Sequence, residues 1–258
     1  MGVNGFERKE KIQKTIKETG SVSINSLAKE FGVTKVTVRS DLDELARLGL
    51  VMRTHGGGVS PENLRLTRLV ADTIHEKTEQ KQAIAEAAAR FIQPGNTILI
   101  DSGSTTAFLA RLVKHLRITV ITNSILVLQE LIASESVELF VPGGALRKQD
   151  LALIGEVSRF FLSQVRADLV FLGATSYSFE KGISCANLIE GETKKSMITC
   201  GLKTCLLADS SKAGKVALAH VCDWDDIDVF ITDSIEDGPR RRLEESGVEV
   251  VVTGERRA

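Results

Sequence analysis

The chain has few of the residues that staple a fold, anchor it in lipid or break it into loops. Its 258 residues include four cysteines, four prolines, one tryptophan and one tyrosine. Cys185, Cys200, Cys205 and Cys222 form no Cys-x-x-Cys pair and have no neighbouring histidine cluster. A zinc site and a disulfide framework are therefore not indicated, no metal or cofactor is expected, and the four read as reduced structural thiols. No stretch approaches the roughly 18 consecutive apolar residues of a membrane-spanning helix, and Met1 to Glu10 lacks the apolar centre of a signal peptide. The expectation is a cytoplasmic protein with no membrane partner. With 43% hydrophobic and 26% charged residues, the composition also argues against a largely disordered chain.

What is present is unevenly charged. The formal net charge is −1, but residues 1–60 hold ten Lys/Arg against seven Asp/Glu, while the remainder holds 23 against 27. Only the first segment is suited, weakly, to a polyanion.

That segment reads as three helices and a ribbon. Ile12 and Ile16 recur among Lys and Glu from Glu7 to Lys17, and Gly20 closes this helix. A short extended stretch from Ser21 leads to a cap at Ser23 or Asn25, then to a helix with Leu27, Ala28 and Phe31 on its apolar face, ended by Gly32. Thr34 is placed to cap a third helix from Lys35 to about Leu48, with Val38, Leu42, Leu45 and Leu48 at helical spacing. After Gly49, residues 50–55 have strand character, and Gly56-Gly57-Gly58 suit a tight turn. This is the pattern of a winged helix-turn-helix. Such an arrangement lays the N-terminal residues of its second helix, here Lys35, Val36, Thr37 and Arg39, against base edges in the major groove. Arg53 and His55 would serve from the wing. The competing reading is a three-helix protein-interaction module whose lysines only solvate a surface.

Two runs carry a resemblance. Val36-Thr37-Val38-Arg39-Ser40-Asp41-Leu42 and Arg53-Thr54-His55-Gly56-Gly57, with Glu7 to Ile12, resemble the DNA-binding half of the DeoR family of bacterial regulators. The resemblance implies DNA contacts from Thr34, Lys35, Thr37, Val38, Arg39, Arg53 and His55. The division expected is residues 1–60 for DNA binding, a partly helical linker at 61–80, and a second domain from 81 to 258.

Beyond Lys81 helical and strand patterns alternate. Strand candidates begin near Thr97, Ile118, Val137, Asp168, Thr204, Ile227 and Val248, which predicts a mostly parallel sheet covered by helices. Ligands of such sheets bind at the carboxyl ends of strands. The strongest signal there is Asp101-Ser102-Gly103-Ser104-Thr105-Thr106, running into a helix. Glycine permits close backbone approach, hydroxyls donate, and helix N-terminal amides face the same point, so a phosphate fits. The hexapeptide is neither a Walker loop nor the GxGxxG of dinucleotide folds, and an ordinary capped helix start is its plainer reading. Asn123, Gly143-Gly144 and the pair Asp209 and Lys212 end later strands. Glu190 and Lys194 are an i,i+4 pair whose plain reading is structural.

In this order, these motifs resemble the sensor half of the same family, which is similar to ribose-5-phosphate isomerase. The resemblance implies a phosphate site at Ser102 to Thr106, with Asn123, Gly143, Gly144 and Lys212 around the ligand, and Glu190, Glu192 and Lys194 as a recurring pattern. It also implies a repressor of a carbohydrate operon, an oligomer (dimer or tetramer) on double-stranded operator DNA, and a phosphorylated sugar as effector. Ala174 to Ser178, read as a loop, departs from the family pattern, so the resemblance carries no ligand contacts over to it and leaves the specificity open. An isomerase or deaminase needs a general base, for which Glu190, Asp209 and Asp168 are candidates, but no motif fixes one; an enzyme is therefore not expected.

Overall fold

The computed structural model describes residues 5–19, 21–48, 50–54, 57–59 and 76–254. The chain falls into two compact units, Met1–Thr67 and Arg68–Ala258.

The first unit contains helix α1 (Gly5–Thr19), strand β1 (Ser21–Ser23), α2 (Ile24–Phe31), α3 (Lys35–Arg47), β2 (Met52–Thr54) and β3 (Gly57–Val59). Helix boundaries follow local chemistry. The Ser23 hydroxyl accepts from the amides of Asn25 and Ser26, and Gly32 ends α2 in the left-handed conformation (φ 64°). Thr34 then accepts from the amide of Thr37 at 3.1 Å, so one glycine stop and one threonine start make the turn. Ile12, Ile16, Leu27, Val38, Leu42 and Leu45 converge in one core. Arg8 and Asp41 are buried within this unit and paired twice, Nε to Oδ2 at 2.6 Å and a terminal guanidinium nitrogen to Oδ1 at 3.0 Å.

The strands form an antiparallel sheet in the order β1-β3-β2. Gly57 and Gly58 therefore lie in the central strand, not in the tight turn the glycine run predicts. A Cβ on Gly57 would come within 1.8 Å of the Val22 carbonyl oxygen, so close approach of β1 is what these glycines provide. Of the expected linker at 61–80, residues 61–75 lie outside the described residues.

The second unit is built on seven parallel strands. Helix α4 (Thr78–Ala89) precedes β4 (Thr97–Ile100), α5 (Ser104–Val113), β5 (Ile118–Thr122), α6 (Ile125–Leu131) and β6 (Val137–Phe140). A hairpin, β7 (Ala145–Arg147) and β8 (Ala152–Ile154), leads to α7 (Glu156–Ser163) and β9 (Ala167–Gly173). There follow β10 (Ser176–Ser178), β11 (Gly182–Cys185), α8 (Leu188–Cys200), β12 (Gly201–Leu207), β13 (Ala219–Cys222), β14 (Val229–Thr232), α9 (Asp237–Glu245) and β15 (Glu249–Val252). The sheet order is β15-β14-β12-β9-β4-β5-β6. The chain thus builds outward from β4 through β5 and β6, then crosses back to place β9 on the other side. β4 and β9 flank the topological switch point, where the connections diverge and leave a crevice at the strand carboxyl ends.

Alternation along the strands feeds both faces. Ile98 and Ile100 join the core under α4, α5 and α6, while Leu99 joins Leu162 and Met197 of α7 and α8 on the other face. The segment read as a loop, Ala174 to Ser178, instead contains β10, part of a small antiparallel sheet β10-β11-β13. Tyr177 is fully buried, edge-on to Phe230 (centroids 5.3 Å apart) and Trp224 (6.0 Å). The indole nitrogen of Trp224 donates to the Ser178 carbonyl at 3.0 Å. The chain's only tyrosine and only tryptophan thus pin this segment into the core.

Candidate functional site

The first candidate surface is the N-terminal part of α3. Lys35, Val36, Arg39 and Ser40 are exposed, Val36 to 70%, and none of them is needed to hold the core. Thr34 is committed to the cap, and its hydroxyl is 2.9 Å from that of Thr37. Val38 is a correction: at 0% exposure it packs among Leu42, Leu45 and Ile12, so it positions the helix and cannot touch a base. Arg53 lies on β2, and His55 lies outside the described residues. A helix that offers two cations, a hydroxyl and an exposed methyl group at its N-terminal end suits phosphates, guanine and the thymine methyl.

The second candidate site lies at the carboxyl ends of β4, β5, β9 and β12. Ser102, Ser104, Thr105 and Thr106 are all buried. Gly103, the N-cap of α5 (φ 152°), supplies no side-chain cap to the first amides of that helix. Thr106 Oγ1 turns back to the Gly103 carbonyl at 2.9 Å, whereas buried Thr105 Oγ1 has no hydrogen-bond partner. After β5, Thr122 Oγ1 donates to the Ile100 carbonyl at 2.6 Å and ties the two strand ends together. Asn123 gives its amide nitrogen to the Leu153 carbonyl at 3.2 Å, leaving its buried Oδ1 without a partner.

Beside this loop is a buried ionic knot. Asp101 Oδ2 accepts from the Gly173 amide at 3.0 Å and from the Lys194 ammonium. Lys194 also donates to the Gly173 carbonyl at 3.1 Å and lies 3.7 Å from Glu190 Oε1. Burial works against the charge on Lys194, but Asp101 and Glu190 outweigh it, so its pKa is raised. Burial pushes the Glu190 carboxyl up to about 7, and Lys194 only partly opposes this. The i,i+4 pair read from the sequence is therefore not a solvated surface pair: it joins α8 to the ends of β4 and β9. Glu192, in contrast, faces outward and pairs with Lys195 at 3.0 Å.

After β12, Asp209 caps the 3-10 turn Ser210–Lys212 and accepts from the amide and hydroxyl of Ser211. Burial alone would raise the Asp209 carboxyl, but the Ser211 hydroxyl with Lys212 and Lys77 holds it below its ordinary value. Burial brings the Lys212 ammonium down to about 8, partly offset by Asp209. Gly143 and Gly144 sit on an exposed loop with a packing role of their own: a Cβ on Gly144 (φ 141°) would come within 2.7 Å of the Ile154 carbonyl oxygen, and Ser158 donates to the Gly143 carbonyl.

Sequence reading missed two lysines in this cluster. Lys77 is 3.5 Å from Asp209, and Lys81 is buried at 4% exposure within the field of the same carboxylate. The signal was available: Lys81 falls in the register of Ile84, Ala85 and Ala88, the apolar stripe of α4, where an unpaired lysine would be costly.

A winged helix-turn-helix with an exposed N-terminal end on its third helix, followed by an α/β unit with a polar crevice at its switch point, is the architecture of a ligand-responsive DNA-binding transcription regulator. Residues 8–63 match the DeoR-like helix-turn-helix domain and residues 76–234 the DeoR C-terminal sensor domain. The chain is 34% identical over 247 residues to the HTH-type transcriptional regulator GlpR of Haloferax volcanii, covering 95% of this chain and 96% of the relative. It is 32% identical over 229 residues to the glycerol-3-phosphate regulon repressor of Escherichia coli K12, covering 88% and 90%. The chain belongs to the DeoR family. Among solved structures, ribose 5-phosphate isomerase A of Methanocaldococcus jannaschii aligns with 54% of this chain and 55% of its own at 17% identity, with a TM-score of 0.41. Among the described residues no helix is long and apolar enough to cross a membrane.

Proposed function

We propose that the chain is a repressor of a carbohydrate-metabolism operon, released from or retained on its operator according to the level of a phosphorylated sugar or sugar alcohol. Residues 1–60 hold double-stranded operator DNA, with Lys35, Thr37 and Arg39 of α3 in the major groove and Arg53 and His55 on the wing. Residues 61–80 form the linker and 81–258 the sensor, acting in the cytoplasm as a homo-oligomer, dimer or tetramer, on repeated half-sites. The observation that carries the effector half is the pair of buried partnerless oxygens, Thr105 Oγ1 and Asn123 Oδ1, near the uncapped start of α5. Buried polar atoms without partners are rare and call for a ligand, ion or water. The names of the relatives support a phosphorylated small molecule; Ser102–Thr106 and Lys212 supply donors to its phosphate, and the Asn123 amide oxygen is an acceptor for a sugar hydroxyl.

The protein acts by binding, not turnover. Asp101 and Lys194 neutralise each other and are tied to the Gly173 backbone, so neither is free to carry a proton between substrate atoms. Glu190, raised to about 7, is the carboxylate among the described residues whose pKa would suit a general base. Conversion of any sugar phosphate to an isomer by the purified protein, abolished in Glu190→Gln, would replace the repressor reading of this site with an enzymatic one.

The decisive experiment is a gel shift on DNA upstream of the gene, with and without sugar phosphates chosen by thermal shift. Arg39→Ala, on an exposed position, is expected to lower specific affinity by about 1–3 kcal/mol while the melting temperature is unchanged. Unaltered operator affinity in this variant would remove α3 as the recognition helix. Affinity that stays constant under saturating effector would remove the coupling.

A further inference from the structure

The sensor has two helical faces, and they differ in what they show to solvent. Over α4, α5 and α6 the large exposed apolar residues are Leu112, on α5, and Ile132, at the end of α6. Over α7 and α8, Val157, Phe160, Leu188 and Ile189 are all more than half exposed, Phe160 to 71%. Val157 and Phe160, three residues apart, share one side of α7. The start of α7 touches the first turns of α8: the Gly155 amide donates to Thr193 Oγ1 at 3.2 Å, and a Cβ on Gly155 would lie 3.8 Å from Ile189 Cγ2. The four side chains thus form one patch across the helix pair, while Leu162 and Met197, on the inner sides of the same helices, bury into the core. Single exposed apolar residues are ordinary, but a cluster on one face marks a surface that another molecule covers.

The charges around the patch point to its occupant. Glu156 and Arg159 pair on α7 at 2.7 Å, and Glu192 and Lys195 pair on α8 at 3.0 Å. Lys195 holds the Glu192 carboxyl below its ordinary value, and Arg159 adds to this from the neighbouring helix, so the two pairs border the same surface. Two acids and two bases carry no net charge, which offers nothing to a polyanion or to a surface of one sign. They do complement a copy of themselves: in a two-fold interface the same patch meets itself, so each acid can face a base. With residues of this size exposing on the order of 100 Å² each, the apolar centre and charged rim together present roughly 800 Å² per copy, the share of one partner in a stable interface.

We propose that the outer face of α7 and α8 is where two copies of the sensor pair, with Val157, Phe160, Leu188 and Ile189 at its centre and the four charged residues at its rim. The inference rests on the reading that the chain acts as a homo-oligomer on repeated half-sites, and supplies the surface. It also joins pairing to effector binding. On its inner side α8 carries buried Lys194, tied to Asp101 at the head of the 101–106 loop. A ligand that shifts this knot therefore acts on the helix that holds the copies together.

The test is analytical sedimentation of the full-length protein without DNA, at micromolar concentration. Wild type is expected to be a dimer or a larger even-numbered assembly. Phe160→Glu and Leu188→Glu, which place a charge at the centre of the patch, should weaken self-association at least about thirtyfold. Phe160→Ser, which adds no charge, should weaken it less but in the same direction. Ile132→Glu, at the same 71% exposure on the opposite face, should leave it unchanged. If the wild type is a dimer and the variants at Phe160 and Leu188 sediment as it does, the inference falls and the homo-oligomer reading stands on another surface. If the wild type is a monomer, both fall, and the patch belongs to a different partner. A loss in Ile132→Glu equal to that in Phe160→Glu would show a general effect of added charge and remove the assignment.

Discussion

The two units separate function from stability to different degrees. In the winged helix, the face of α3 proposed to meet DNA (Lys35, Val36, Arg39) is exposed, while the core face of the same helix (Val38, Leu42, Leu45) is buried. The buried pair Arg8–Asp41 does not involve these exposed residues. In the sensor, Asp101, Thr105, Asn123, Glu190, Lys194 and Asp209 are at once candidate ligand groups and buried to 5% exposure or less. A regulator that reads a large external polymer can place its contacts on the surface. One that encloses a small anion must bury charges and balance them internally, so its binding site is also a stability determinant.

The contrast predicts its largest effect at Lys194. Replacing it with Met leaves the Asp101 carboxylate buried beside Glu190 without a cation, which is expected to cost about 3–5 kcal/mol of stability. Trp224, the chain's only tryptophan, lies in the sensor core, so its fluorescence during denaturant unfolding reports on that unit. Lys194→Met should shift this transition to lower denaturant, whereas Arg39→Ala should leave it in place. A wild-type transition in Lys194→Met would mean that the ionic knot is not structural, and the comparison would collapse.

A smaller effect, with a definite pH signature, is expected at Glu190. Burial raises its carboxyl to about 7 in the folded protein, against about 4.3 when unfolded. Between those values the folded state binds the additional proton, so this group's contribution is intact below about pH 4 and is lost as pH rises toward 7 and beyond. Glu190→Gln removes that dependence. The variant should match wild type near pH 4 and exceed it at pH 8 by on the order of 2 kcal/mol, allowing for the attraction of Lys194. Parallel pH profiles for the two proteins would show that Lys194 holds Glu190 ionised throughout.

What could be read from the sequence follows the same division. The helices of the first unit were legible because their caps and apolar spacing are local: Ser23, Gly32 and Thr34 mark the turn without reference to anything distant. Gly57 and Gly58 misled because a glycine run looks like a turn, and only the approach of β1, some 35 residues earlier, shows a strand. Val38 fits both the apolar stripe and the DNA-contact motif in sequence, and its full burial assigns it to the core. In the sensor, alternation revealed the strands, but their order, and hence the switch point between β4 and β9, is a long-range property. Tyr177 looked like part of a loop because its partners Trp224 and Phe230 lie about 50 residues away. The strand-end motif 101–106 was visible from its hydroxyls and glycine. The inward turn of Glu190 and Lys194 was not, since an i,i+4 spacing is the same on a solvated face and a buried one.

The smallest expected effect tests burial as the controlling variable within one helix. Arg8 and Lys9 are adjacent on α1, and each pairs with an acid on α3: Arg8 with Asp41, and Lys9 with Glu44 at 2.5 Å. The first pair is nearly closed to solvent, while Glu44 is about half exposed. A short contact in solvent yields little, because the charges are screened and two long side chains lose freedom. Lys9→Ala is therefore expected to leave the melting temperature of the winged helix unchanged within error, whereas Arg8→Met, which strands Asp41 in the core, should lower it clearly. Circular dichroism of both variants, followed at the helical minimum, measures this. If the two substitutions cost the same, proximity of charges rather than burial would govern these pairs, and the stability assigned to the sensor's ionic knot would lose its basis.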